Sequence, residues 1–332
     1  MNRLRKRALT VIAYLVILCV LLFIAGLSVG SSMLNPLKVV KHLVGAGNGE
    51  YGFVLYTLRL PRMLLAMLAG AALGVSGLIM QRIVRNQLGS PDIIGVTGGA
   101  SFAAVFFLTY LAGSMGIAWL PVSAIAGSAA VSALIYGLAW RKGVTPVRLV
   151  LVGIGIAACT GALTMMMIVV NDEYSTMRAY LWMVGSVYGA KWSDVFALLP
   201  WVGAFIPLSL LFAKSINAME LGDESALGLG VRIQLVRLGM LAISVALSGS
   251  AVAFAGGIGF VGLIAPHVAR LLAGRSFGYL VPVSALIGSM IVALADVLAR
   301  TAFLPLDIPA GVFVSGIGAP FFIYLLYRNR HQ

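Results

Sequence analysis

Three histidines, His42, His267 and His331, and two cysteines, Cys19 and Cys159, are the chain's softer ligands, and they do not stand at metal-ligand spacing. Both cysteines fall inside apolar stretches, which argues against a disulfide framework. Nucleotide chemistry is missing too. A Walker A loop needs a lysine directly after glycine, whereas Lys6, Lys38, Lys41, Lys142, Lys191 and Lys214 all follow other residues. The ten acids (Glu50, Asp92, Asp172, Glu173, Asp194, Glu220, Asp223, Glu224, Asp296 and Asp307) lie at or near the ends of apolar stretches. An ion-driven carrier wants such groups near the bilayer midplane, and an intramembrane enzyme wants a Ser/His, paired-Asp or metal constellation there. The sequence offers neither. One polar segment does have internal order. Leu221-Gly222-Asp223-Glu224-Ser225-Ala226-Leu227-Gly228-Leu229-Gly230 reads as a short helix bounded by glycines, with acids in its first turn where the helix dipole favours them. Such an element is either a solvated turn or a docking element for another protein.

The elements that must position these residues are membrane spans. The chain is 61% hydrophobic and 10% charged, with a mean hydropathy of +1.04, whereas soluble domains carry about 25% charged residues. Apolar stretches near the ~20 residues that a spanning helix needs recur at Ala8–Gly30, Pro61–Ile83, Ile93–Leu111, Trp119–Trp140, Val147–Val170, Trp192–Phe212, Val236–Phe254, Gly257–Leu272, Tyr279–Ala299 and Pro309–Tyr327. Ten spans predict an all-α polytopic membrane protein with both termini on one side. Sixteen of the 23 lysines and arginines fall on that side, so it is cytoplasmic by the positive-inside rule. The net charge of +13 therefore meets lipid headgroups of the bilayer rather than nucleic acid. Arg3-Leu4-Arg5-Lys6-Arg7 resembles the start of a signal peptide, but the apolar run after it is long and has no clear cleavage site, so it reads as a retained first helix.

Many of the 39 glycines lie within spans, where small residues let helix backbones approach closely. The eighth span is short and contains Pro266; the third follows Pro91 and is broken by Gly95, Gly98 and Gly99. Interrupted spans in corresponding positions of two halves point to a transporter. The segments Ser31–Arg62 and Asn171–Trp192 are external, with Trp182 and Tyr188 at the interface, and 214–236 is the large internal loop.

The order of several motifs carries a resemblance over nearly the whole chain. They are Arg59-Leu60-Pro61-Arg62, Ala69 through Gly77, Gln81, Arg85-Asn86, Ser90-Pro91-Asp92-Ile93-Ile94-Gly95-Val96, Trp182 and Gly185-Ser186, the Leu221–Gly230 loop, Gly259-Phe260-Val261-Gly262-Leu263, Pro266-His267, Arg270, Pro282 through Leu286, Ala295-Asp296, Ala299-Arg300, Pro309-Ala310-Gly311 and Gly318-Ala319-Pro320. The sequence resembles the FecCD family of ABC permeases, which import iron–siderophores, haem and cobalamin. The resemblance implies a BtuC-like, type II importer fold with an inverted pseudo-repeat of about 60–170 and 236–328. It implies a bacterial cytoplasmic-membrane location. The partners it implies are a second permease subunit, identical or paralogous, two cytoplasmic ATPases that hold ATP and Mg, and an extracytoplasmic substrate-binding protein. This chain itself would carry no cofactor and no metal.

The resemblance also assigns roles. Arg59, Arg62 and Arg300 match external arginines that meet glutamates of the binding protein; lipid anchoring is the other reading. Asp296, one helical turn before Arg300, is expected to orient it. Leu221, Gly222, Asp223, Glu224, Ala226, Leu229 and Gly230 match the coupling helix that sits in a cleft of the ATPase, with Gly222, Ala226 and Gly230 allowing close approach. Asp223 and Glu224 would pair with ATPase cations or cap the helix. Met165, Met166 and Met167 lie in the span that lines the pathway in the family; ordinary core or lipid contact is the alternative. His267 is expected to be structural. Two departures bear on gating: Asn86-Gln87-Leu88-Gly89 stands where the family usually has Asn-Pro-Leu-Ala, and Asp307 where it usually has Glu. The ferric-citrate and hydroxamate members are the nearest in motif; haem, cobalamin and an ion-driven carrier are the alternatives.

Overall fold

Along the apolar spans the backbone's own polar groups dictate the fold, because lipid offers them no partners and a helix satisfies them internally. The computed structural model describes residues 2–30, 32–45, 51–170, 173–303 and 306–328. Ser31, Glu50, Asn171, Asp172 and His331, named above, lie outside the described residues. Among the described residues there are helices and no strands. The spans, in order, are Asn2–Ser28, Leu60–Val84, Val96–Phe106 (prolonged by Phe107–Leu111 and Ala112–Met115), Leu120–Ala139, Pro146–Val170, Trp192–Leu211, Ile233–Ala255, Val261–Ala273, Phe277–Ala299 and Ala310–Arg328. Eight are long and apolar enough to cross a membrane unaided; the eighth and tenth are the shorter apolar helices.

The second span is the hub. It is buried over 83% of its most apolar window, against 17% for the first span, and it packs on the sixth, seventh, eighth and ninth. Its glycines make that possible. A Cβ at Gly70 would lie 2.2 Å from the Gly288 carbonyl oxygen of the ninth span, and one at Gly77 would lie 2.0 Å from that of Gly262 in the eighth. Span contacts pair up under a five-span shift. The third meets the fourth as the eighth meets the ninth; the fourth meets the seventh as the ninth meets the second; the fourth meets the fifth as the ninth meets the tenth.

Both interrupted spans start later than expected. The third begins at Val96, after a 3₁₀ turn over Pro91–Ile94 and a left-handed Gly95. The eighth begins at Val261, after Phe260 at a φ of 63°. Its 13 residues rise ~20 Å at 1.5 Å each, well short of the ~30 Å hydrocarbon core. Irregular backbone at such depth is tolerated where protein encloses it. The two lead-in segments meet each other: Ser90, Pro91 and Asp92 share a cavity of about 20 Å³ with Gly259, Phe260 and Gly262.

Candidate docking, coupling and pathway sites

The three external arginines converge from different elements, and each is turned inward. Arg59 ends the π-helical lead-in Val54–Arg59 to the second span, Arg62 lies in that span's first turn, and Arg300 follows the end of the ninth. Their exposures are 5%, 9% and 8%. Arg59 donates to the carbonyl oxygens of Leu27 (2.8 Å), Ser28 (3.1 Å) and Ser32 (2.5 Å), tying the first span's outer end to the second. Arg62 donates through Nε to Asp296 Oδ1 at 2.8 Å and, through both Nη atoms, to Asp307 at 2.6 and 2.8 Å. Its guanidinium also lies 5.5 Å from the centre of the Tyr188 ring. Arg300 donates to the Gly26 carbonyl oxygen.

Asp296 pairs with Arg300 one turn along its helix, as expected, but its closer partner is Arg62. The carboxylate is 1% exposed, its hydrogen bond comes from Arg62, and Arg300 Nε stands off at 3.8 Å. Asp307, flagged in the sequence only as a departure, supplies the two-pronged partner that a guanidinium fork matches best. The three arginines line one cavity of about 570 Å³ together with Tyr188, Lys191 and Asp307, and Lys191 is exposed there.

In the loop between the sixth and seventh spans, Gly222 at a φ of 111° starts a helix over Asp223–Gly228, and Gly230 at a φ of 78° ends the turn. Both conformations suit glycine and strain other residues. Asp223 faces its own chain. It accepts from Arg85 at 2.5 Å and from Arg237 at 2.9 and 3.2 Å. Arg85 ends the second span in a left-handed turn and Arg237, 3% exposed, sits in the seventh, so one carboxylate ties the short helix to both. Glu224 is exposed. Ala226 is fully buried within the chain, so it does not offer close approach from outside. The outward apolar groups are Leu221, Leu227 and Leu229, at 69%, 60% and 65% exposure. Leu227 was missed in the sequence reading. Arg237 was missed as well, although an ionisable residue inside an apolar span is a functional signal by default.

Along the fifth span, Met165 and Met166 point outward at 52% and 66% exposure, while Met167 packs beside Val105, Ile168 and Ala179. The run is therefore split between two faces. Asp92, exposed, accepts hydroxyl hydrogen bonds from Ser90 and Thr97 where the third and eighth lead-in segments meet. The Asn86–Gly89 turn is held by Asn86 Oδ1 accepting from the Leu88 amide at 2.9 Å and the Asn86 carbonyl accepting from Gly89 at 3.0 Å. His267 meets Phe321 edge to face at 5.9 Å, a packing role.

Set beside known proteins, the chain matches the FecCD transport family over residues 17–328. It is 46% identical to the achromobactin transport system permease protein CbrC of Dickeya dadantii, over 96% of this chain and 91% of that one. It is 43% identical to the iron(3+)-hydroxamate import system permease protein FhuG of Bacillus subtilis, over 97% and 98%. A metal-chelate type ABC transporter solved in an inward-facing conformation superposes with a TM-score of 0.85 at 27% identity, covering 96% of this chain and 99% of that one. The chain belongs to the FecCD transport family, and its ten-span helical bundle is the permease fold of ABC transporters.

Proposed function

We propose that this chain is the membrane-spanning permease of an ATP-driven importer that carries an iron(III)–siderophore complex inward across the bacterial cytoplasmic membrane. The observation that supports it most is likeness over nearly the whole length to permeases named for achromobactin and iron(3+)-hydroxamate transport, on a matching fold. The reciprocal span contacts support reading 60–170 and 236–328 as an inverted repeat. A second permease completes the pathway, two ATPases holding ATP and Mg drive it, and a loaded binding protein delivers the substrate. Its carboxylates meet the cavity of Arg59, Arg62 and Arg300, with Lys191 at the surface. The ATPase receives the Asp223–Gly228 helix through Leu221, Leu227 and Leu229.

The test is radioactive iron uptake in cells with and without this subunit, supplied with different siderophores. The deletion loses uptake for one siderophore class. Intact iron uptake in a strain with no second iron importer, with loss of haem or cobalamin uptake instead, would refute the substrate. Liposomes containing this chain alone should neither hydrolyse ATP nor accumulate iron in a gradient; either activity would refute the importer reading.

A further inference from the structure

A second pocket lies beside the coupling helix on the cytoplasmic side, of about 520 Å³, and its lining is strongly cationic. Arg82 and Arg85 come from the end of the second span, Arg270 from the end of the eighth, and Arg275 from the link to the ninth. One lining carboxylate, Glu220, faces these four guanidinium groups, and it pairs with Arg82. Asp223, just outside, is already shared between Arg85 and Arg237. Among the described residues Arg270 has only a neutral partner, donating to Gln81 Oε1 at 2.6 Å, and its Nη2 is buried without a hydrogen-bond partner. Arg82 Nε is likewise buried and unpartnered. Buried guanidinium nitrogens left without acceptors are costly, and like charges held together want an anion between them.

We propose that this pocket takes a carboxylate side chain of the protein docked on the coupling helix. The inference rests on the coupling reading above and goes beyond it by adding a polar anchor to an apolar contact. Leu221 links the two surfaces: it lines the pocket and is also one of the three exposed leucines. A protein covering Leu221, Leu227 and Leu229 lies across the pocket, and its acid reaches Arg270 and Arg275. Lipid phosphate is disfavoured as the occupant, because the second span, which supplies Arg82, is packed against four other spans and largely buried along its apolar window.

The experiment measures affinity of the purified ATPase subunit for this permease in nanodiscs, across a series of salt concentrations. Arg275 is exposed, so Arg275→Glu leaves the fold intact; it weakens binding about tenfold and flattens its salt dependence. Glu220→Gln removes the internal competitor and tightens binding several-fold. Leu227→Glu tests the coupling reading separately. If Leu227→Glu abolishes binding while Arg275→Glu and Glu220→Gln change nothing, the pocket inference is overturned and coupling stands. If all three bind like the wild type, both fail. If Arg275→Glu alone weakens binding, the carboxylate anchor stands and the leucine contact fails.

Discussion

Replacing Arg62 by alanine tests whether the external cluster is part of the fold or a free docking surface. In the native chain its guanidinium satisfies Asp296, 1% exposed, and clasps Asp307, whose side chain is 26% exposed. Truncation leaves Asp307 able to turn to water but strands Asp296, whose remaining cation, Arg300, is 3.8 Å away and committed to the Gly26 carbonyl. Breaking a buried pair on one side costs about 3–5 kcal/mol. Because Arg300 stays nearby, the lower end applies, about 3 kcal/mol, or roughly a hundredfold in the folding equilibrium. Thermal unfolding in detergent should therefore fall by several degrees. Adding Asp296→Asn and Asp307→Asn to Arg62→Met removes the stranded carboxylates and restores part of the stability, while Arg300 keeps its hydrogen bond to Gly26 and loses its ion pair. An Arg62→Ala chain that unfolds at the wild-type temperature would refute the reasoning. Charge reversal at Arg62 would place three carboxylates together, so lost transport in such a variant reports misfolding before it reports docking.

Three further outcomes follow from the same structure. Lys191→Glu, at the exposed edge of the external cavity, should lower binding-protein association several-fold at low salt, with an unchanged unfolding temperature; unaltered association would remove Lys191 from the docking surface. Asp223→Asn should leave the chain folded but loosen the coupling helix from Arg85 and Arg237, so that reconstituted transporter hydrolyses ATP with several-fold less substrate carried per ATP; an unchanged ratio counts against the anchor. Gly77→Ala, whose Cβ would meet Gly262 backbone at 2.0 Å, should yield little folded protein, whereas Gly155→Ala, with nothing within 4 Å, should be neutral or slightly stabilising in the same assay.

Much of the fold was legible in the sequence because its causes are local. Lipid forces every spanning segment to satisfy its own backbone, so hydropathy and length located the ten apolar spans. The glycines at 222 and 230 and the acids between them marked the cytoplasmic helix for the same reason: dihedral freedom and dipole charge act within one turn. The partners of the charged residues were not legible, because pairing is decided across the bundle. Arg62 is 234 positions from Asp296 and 245 from Asp307, and Arg85 is 138 from Asp223. The i,i+4 spacing suggested Asp296 for Arg300, yet packing of the second span on the ninth put Arg62 closer. Packing elsewhere in the bundle likewise buried Ala226 and left Leu227 exposed, and split Met165 and Met166 from Met167. Residue type and spacing thus determined which segments cross the membrane and where charge collects. Only the close approach of glycine-lined helices decided which charges neutralise one another and which remain to meet a partner.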